Sequence, residues 1–236
     1  METGSSGPRK KGVLYVVATP IGNLEDITLR ALRTLGEVEV IACEDTRQTS
    51  KLLARHGIRK RLISYYRPRE NQRLPEILRY LESGRDVALV SDAGTPGISD
   101  PGFPLIREAL RAGIRVIPIP GPCAATAALS AAGLPTHRFL FLGFPPPKRT
   151  ARRKFLAALA EDEATLVFYL PTRKLKEFLG DIRDTLGDRP LVVARELTKV
   201  HEEFIRGKAG EVLEGLATGE LRGEATILVS GARKQK

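Results

Sequence analysis

Cysteine and histidine are scarce in this 236-residue chain, which holds only Cys43 and Cys123 and the scattered His56, His137 and His201. The thiols stand far apart and form no CxxC pair, so neither a structural zinc site nor a disulfide framework is available. Long apolar runs are missing too; none approaches the roughly 18–20 residues that a membrane span requires. Residues 1–11 are polar and basic without an apolar centre, unlike a secretory leader. GxGxxG and Walker A spacings are absent, which removes a nicotinamide dehydrogenase that would use Asp45 on a ribose. A soluble cytoplasmic protein with no metal and no membrane partner is expected.

What is present is ordinary globular material, 42% hydrophobic and 28% charged residues, enough for one large domain or two small ones. Lys and Arg outnumber Asp and Glu by 38 to 28, a net charge of +10. A field of that sign favours polyanions, with RNA, DNA and acidic lipid headgroups all eligible. Apolar runs rich in β-branched residues alternate with helix-period segments. Strands are expected at 13–18, 38–42, 62–65, 87–90 and 115–119. Helices are expected from Asp26 as cap to Leu35, and over 46–56, 74–82 and 104–111. This alternation predicts a parallel sheet covered on both faces. The second half repeats it less regularly, with strands at 139–143, 165–169, 191–194, 203–206 and 225–229, and a mixed sheet is expected toward the end. The Pro118, Pro120, Gly121, Pro122 cluster suits a joint. The division is therefore a tail over 1–11, α/β domains over 12–119 and 120–232, and a tail over 233–236.

Ligands of open parallel sheets bind beyond the carboxyl ends of the strands, and four loops there have unusual composition. Thr19-Pro20-Ile21-Gly22-Asn23 is either a tight turn or a close backbone approach to a ligand. In Cys43-Glu44-Asp45-Thr46-Arg47, the acids either serve a ribose or a proton transfer, or Asp45 simply caps the next helix. Ser91 to Gly102 packs Gly94, Gly97, Gly102, Pro96, Pro101, Asp92 and Asp100 between a strand and a helix. Small residues let a flat ligand lie on main chain, and the prolines limit the entropy lost on binding; the alternative is a multiple-turn connector. Pro120-Gly121-Pro122-Cys123-Ala124 runs into an alanine-rich helix, with Cys123 reading as a small packing residue.

Two basic stretches bear on partners. Lys148, Arg149, Arg152, Arg153 and Lys154 follow a triple proline, and Tyr65-Tyr66-Arg67-Pro68-Arg69 interleaves aromatics with cations, the mixture that stacks bases and neutralises phosphates. Each could instead be a solvated helix face or half-buried strand-end tyrosines. Their presence together in a chain of this charge points toward RNA.

The segments Ala18 to Leu24, Glu44-Asp45-Thr46-Arg47, Ser91 to Gly102, Pro120-Gly121-Pro122 and Arg195-Glu196-Leu197-Thr198-Lys199 resemble the tetrapyrrole-methylase superfamily, and more narrowly its ribosomal branch. The resemblance runs from about residue 12 to 230. It implies two αβα domains with mainly parallel sheets and S-adenosylmethionine in the interdomain cleft. It also implies a homodimer that methylates a cytidine 2′-oxygen in the decoding region of 16S ribosomal RNA, within the small ribosomal subunit. The cofactor contacts carried over are Pro20; Ala93, Gly94, Thr95 and Ile98; Cys123 and Ala124; and Leu170 and Leu197. Two positions depart from the branch. Leu170-Pro171-Thr172-Arg173-Lys174 stands where Glu-Ser-Pro-His-Arg is usual after the Phe-Tyr strand, and Cys123 stands where serine is usual.

For ribose methylation the base candidates are the strand-end carboxylates, with Asp100 first, then Asp45 and Glu44, and with Asp92 and Glu196 also available. The RNA contacts expected are the five cations over 148–154 with Tyr66 and Arg67. Two other readings stay open: methylation of a tetrapyrrole ring carbon on the same fold, and a non-catalytic α/β module that binds ribosomal RNA.

Overall fold

The computed structural model describes residues 10–216 and 223–232. The chain divides into two compact units, one ending at Cys123 and the other beginning at Ala124. The tail expected over 233–236, and residues 1–9 of the other, lie outside the described residues. Among the described residues no helix is long and apolar enough to cross a membrane.

The first unit alternates strictly. Its elements are β1 (Val13–Val17), α1 (Leu29–Glu37), β2 (Val40–Cys43), α2 (Thr46–Arg55), β3 (Arg61–Ser64), α3 (Glu70–Glu82), β4 (Val87–Val90), α4 (Phe103–Arg111) and β5 (Arg115–Ile119). The strands form one sheet in the order β3-β2-β4-β1-β5, and every pairing is parallel. Alternate side chains of each strand feed separate cores, as the two-residue strand period requires. Leu14, Val40, Ala42, Val87 and Leu89 pack with Ile77 and Leu81 of α3 and Leu105 and Ala109 of α4. Val17, Ile41, Cys43, Ala88 and Val90 pack on the other face with Ala31 and Leu35 of α1 and Leu52 and Leu53 of α2. Both faces are covered, as near-continuous apolar strands predict.

Two helix starts differ from expectation. Asp26 does not cap α1; it lies in a 3-10 turn over Leu24–Asp26 whose cap is Asn23. Ile27 is extended, and Thr28 takes the cap, its Oγ1 accepting from Ala31 N–H at 3.1 Å. α3 starts at Glu70, ahead of the expected 74, because a 3-10 turn over Arg67–Arg69 leads directly into it. Pro75 then sits inside the helix, not at its first position, at the cost of one ladder bond.

The second unit contains α5 (Ala124–Ala131), β6 (Phe139–Gly143), α6 (Arg149–Ala157), β7 (Thr165–Pro171), α7 (Leu175–Leu186), β8 (Pro190–Arg195), β9 (Glu203–Lys208), α8 (Ala209–Gly215) and β10 (Glu224–Val229). Its sheet runs β6-β7-β10-β8-β9. The mixed sheet expected toward the end of the chain forms here. Only β6 and β7, joined through α6, are parallel, whereas β7–β10, β10–β8 and β8–β9 are antiparallel. The reason is the connection: β8 passes to β9 without a helix, and a parallel pair needs a long crossover. The main core lies between this sheet and Leu156 of α6, Phe178 and Ile182 of α7 and Val212 of α8. The alanine-rich α5 packs on β7 and β10.

Candidate functional site

The topology alone marks one place on the first unit. The crossover helices after β1 and β2 cover one face of the sheet, and those after β3 and β4 cover the other. Neighbouring β1 and β4 therefore send their chains to opposite faces, which opens a crevice at their carboxyl ends. The Thr19–Asn23 loop leaves β1 there and the Ser91–Gly102 loop leaves β4.

The two loops are fused across that crevice. Thr19 N–H donates to Gly94 C=O at 2.8 Å and Gly94 N–H returns the bond to Thr19 C=O at 3.0 Å. Thr19 Oγ1 reaches Ser91 C=O at 3.0 Å, and Ser91 Oγ reaches Gly94 C=O at 3.2 Å. Gly94 holds φ +92°, a conformation L side chains rarely adopt. A Cβ on it would meet Ile21 Cγ2 at 3.4 Å and Pro122 O at 3.8 Å. Thr95 Oγ1 donates to Pro122 C=O at 3.2 Å, which ties the β5 exit to the same loop. Pro20 is buried, Ala93 exposed, and Ile98 is 43% exposed. Of the cofactor residues expected from the sequence, the first unit thus gathers Pro20, Ala93, Gly94 and Thr95 at one crevice.

The far end of the glycine-rich loop is held from β3's exit. Arg67 Nη2 donates to Ser99 C=O at 2.8 Å, and Gly102 N–H donates to Glu70 Oε1 at 2.9 Å. Ser99 stands at φ +66° and Gly102 at +145°, so this clamp holds a turn that would otherwise relax. Tyr65 lies fully buried beneath, its phenol pKa pushed up by burial and by the Glu70 carboxylate. Glu70 escaped the sequence reading, which named Thr19 and Ser91 only as the first residues of their loops and gave their hydroxyls no role. A buried hydroxyl in a loop is a usable signal only once burial is known.

The acids differ in role. Asp45 caps α2, accepting from Arg47 N–H at 2.8 Å, and pairs with the Arg47 guanidinium at 2.9 Å. Those bonds hold its carboxyl below the ordinary aspartate value. Asp92 Oδ1 accepts from Asp45 N–H at 2.9 Å. Glu44 is half-buried, and burial pushes its carboxyl above the ordinary glutamate value. Asp92 and Asp100 add to that push, while Arg67 opposes it. Among the described residues no group of three or more His, Cys, Asp or Glu could hold a metal ion.

In the second unit, Leu170 belongs to the hydrophobic core. Leu197 is buried inside a loop with left-handed Glu196 (φ +48°) and Thr198 (φ +65°). Cys123 and Ala124 are half-buried at the turn into α5. One expected RNA contact is corrected. Arg152 is 3% exposed and donates to Asp181 at 2.6 and 2.8 Å and to Glu177 at 2.7 Å. A guanidinium so enclosed holds α6 on α7 and is not available to a phosphate. Arg149 also lies against fully buried Asp181 at 3.1 Å but remains exposed, as do Lys148 and Lys154, whereas Arg153 is half-buried between Asp181 at 4.0 Å and Asp184 at 3.4 Å. On the first unit, Tyr66 is half-buried with the Arg69 guanidinium 5.8 Å from its ring centre.

Comparison with known proteins places this arrangement. A family model described as Tetrapyrrole (Corrin/Porphyrin) Methylases matches residues 13–213. A protein of Escherichia coli O157:H7 named Ribosomal RNA small subunit methyltransferase I is 47% identical over 239 residues, covering 100% of this chain and 84% of its own. The protein of that name from Thermotoga maritima is 46% identical over 220 residues, 93% of this chain and 99% of its own. Among solved structures, the native uroporphyrin III C-methyltransferase of Thermus thermophilus superposes with a TM-score of 0.64 at 20% identity, covering 93% of this chain and 97% of that one. A cobalt precorrin-4 methyltransferase of cobalamin biosynthesis superposes at 0.65 with 21% identity, covering 92% and 94%.

Proposed function

The chain belongs to the tetrapyrrole (corrin/porphyrin) methylase family, and on that premise we propose that it methylates a cytidine 2′-oxygen in the decoding region of 16S ribosomal RNA, using S-adenosylmethionine. Relatives that are nearly half identical over almost the whole chain bear the ribosomal name. The observation that carries the site is the reciprocal Thr19–Gly94 bridge at the crevice between β1 and β4. The reading further takes the small ribosomal subunit as the substrate particle and a cytoplasmic homodimer as the working form.

The residues present fit the cofactor. The bridge leaves Ala93 exposed beside the buried Gly94, and a small side chain next to a residue with none is the kind of surface against which a flat nucleoside lies. The neighbouring acids Glu44 and Asp92 suit a ligand carrying positive charge. Pro20, Ala93, Gly94, Thr95 and Ile98 would hold it, with Cys123 and Ala124 at the following turn. When bound, S-adenosylmethionine supplies an electrophilic methyl group on a sulfonium, open to in-line displacement by the ribose oxygen.

The chain's own task is to align the hydroxyl and accept its proton. A proton acceptor works best when its pKa approaches the operating pH. Glu44, raised by burial and by neighbouring carboxylates, meets that condition better than Asp45, which is committed to a helix cap and an arginine. Asp100 stands in the clamped turn and acts on Glu44 through its charge. We therefore assign the base to Glu44, with Asp100 as the competing candidate. On the first unit Arg67 and Tyr66, and on the second Lys148, Arg149, Arg153 and Lys154, are the RNA contacts, the cations for phosphates and the ring for a base.

Tetrapyrrole carbon methylation is the second reading, favoured by the solved neighbours, whose likeness at 20–21% identity speaks to fold alone. Labelled S-adenosylmethionine incubated with small-subunit particles, and separately with uroporphyrinogen, decides between them. Label in ribose of the RNA is expected. Label in the tetrapyrrole and none in RNA would overturn the assignment.

A further inference from the structure

The opposite edge of the first unit's sheet carries a basic feature that the methyl-transfer site does not use. A shallow cleft of about 340 Å³ is lined by Glu76, Arg79, Tyr80, Ser83 and Arg85. That volume falls within the range of small-ligand pockets. Tyr80 is half-buried, with the Arg85 guanidinium 5.2 Å and the Arg61 guanidinium 5.6 Å from its ring centre. Both cations are thus held to an aromatic ring. Glu76 is the one carboxylate of the lining. It is shared between Arg73 at 2.8 Å and Arg61 at 3.7 Å, on the far side from Arg79 in sequence. Among the described residues Arg79 and Arg85 have no ion pair. Exposed Lys10 adjoins the same turn, its carbonyl 2.9 Å from where a Cβ on Gly84 would sit.

The location matters as much as the composition. Arg61 begins β3, and Ser83 to Arg85 lead into β4, so the cleft lies at the amino ends of strands whose carboxyl ends carry the crevice. A four-residue strand spans roughly 13 Å. A small cofactor or a single nucleoside cannot touch both edges, whereas a folded RNA can.

We propose that this cleft is a second RNA contact, in which Arg79 and Arg85 take backbone phosphates and the half-buried Tyr80 ring holds the Arg85 guanidinium in place. Unpaired cations are what the RNA backbone meets on its binding proteins. An acidic protein would be attracted by the same charge; RNA is favoured because the proposal rests on the reading of ribosomal RNA as substrate, and it adds that recognition extends beyond the nucleotide that is modified.

The test is the double variant Arg79→Ala/Arg85→Ala, which leaves Tyr80, Arg61 and every residue of the crevice intact. Binding of small-subunit RNA is followed over a salt series, beside steady-state methylation of small-subunit particles. Losing two phosphate contacts should flatten the log–log salt slope by about 1.4–1.8. The RNA KM should rise about fivefold or more, with kcat at saturating RNA and S-adenosylmethionine affinity within about twofold of wild type. Arg79→Lys/Arg85→Lys should restore the slope. If the alanine pair does not fold, Arg79→Ala alone should still flatten the slope by about half as much. An unchanged slope and KM would overturn the proposal. So would loss of poly-glutamate binding with RNA binding intact, since that marks a protein-directed surface. Should the wild type transfer no methyl group to RNA while the variant still flattens the slope, the assigned reaction fails and the contact stands.

Discussion

Replacing Gly94 by valine tests the crevice directly. The residue holds φ +92°, where a non-glycine residue costs about 1–3 kcal/mol, and β-branching places valine toward the upper end. The chain can keep that conformation and carry the strain, or it can rotate away and surrender the two bonds to Thr19, worth about 1 kcal/mol each. Either route costs about 2–3 kcal/mol, and at about 2–4 °C per kcal/mol for a chain of this size the thermal midpoint should fall roughly 4–12 °C. The added Cβ would also lie 3.4 Å from Ile21 Cγ2, with its two methyl groups beyond it, on the surface assigned to the nucleoside. S-adenosylmethionine affinity measured by calorimetry should therefore drop at least about tenfold, equivalent to about 1.4 kcal/mol. Gly57→Ala is the matched control. It too has a positive φ, +67°, but nothing lies within 4 Å of its would-be Cβ, and it follows α2 away from the crevice. It should lower the midpoint and leave cofactor affinity untouched. Unchanged affinity in Gly94→Val, with the midpoint lowered as in the control, would make the glycine-rich loop a connector and remove the crevice as the cofactor site.

Glu44→Gln should abolish the acidic limb of the rate–pH profile along with most turnover. Because the folded-state pKa of Glu44 is raised, the wild type loses stability as pH rises through it. The glutamine variant should hence melt higher at neutral pH, and that gain should vanish below the ordinary glutamate value; equal midpoints at both pH values would contradict the assignment. Asp181→Ala removes one of the two carboxylates that hold the buried Arg152, leaving Glu177, and should cost about 2–3 kcal/mol by denaturant titration, whereas Lys148→Ala, on the exposed flank, should weaken RNA binding with no change in the titration. Glu70→Ala removes the acceptor of Gly102 N–H; turnover should fall and Glu70→Gln should restore it, and failure of the glutamine to rescue would mean that the clamp needs the charge and not the bond.

The fold was legible where each strand's environment is local. Four- and five-residue apolar runs separated by capped helices leave few arrangements other than a parallel sheet, and all ten strands stand within a few residues of expectation. Orientation on α6 was not legible. As a string, Lys148 to Lys154 looks like uniform positive charge. On a helix, Arg149, Arg152 and Arg153 fall at i, i+3 and i+4 and share one face. That face meets Asp181 and Glu177, and nothing in residues 148–154 says that α7 is the helix packed against them.

The carboxylates show the same limit at the site itself. The sequence puts Asp100 first among the strand-end carboxylates, ahead of Asp45, Glu44, Asp92 and Glu196, and it shows none of the partners that separate them. Asp45 is held by Arg47 and the α2 amides. Asp92 accepts from the Asp45 amide. Glu196 accepts from Lys199 and from the Glu224 amide. For Asp45 those bonds hold the carboxyl below its ordinary value, because they must be weakened to protonate it, whereas burial raises Asp92 despite its bond. Glu44 is biased upward: burial and the charges of Asp92 and Asp100 favour its taking a proton, against Arg67 and a hydrogen bond from the Asp92 backbone. Arg67 is also the residue that holds Ser99. An RNA phosphate that drew this guanidinium away would raise the basicity of Glu44 further, so the base would be strongest when substrate is in place.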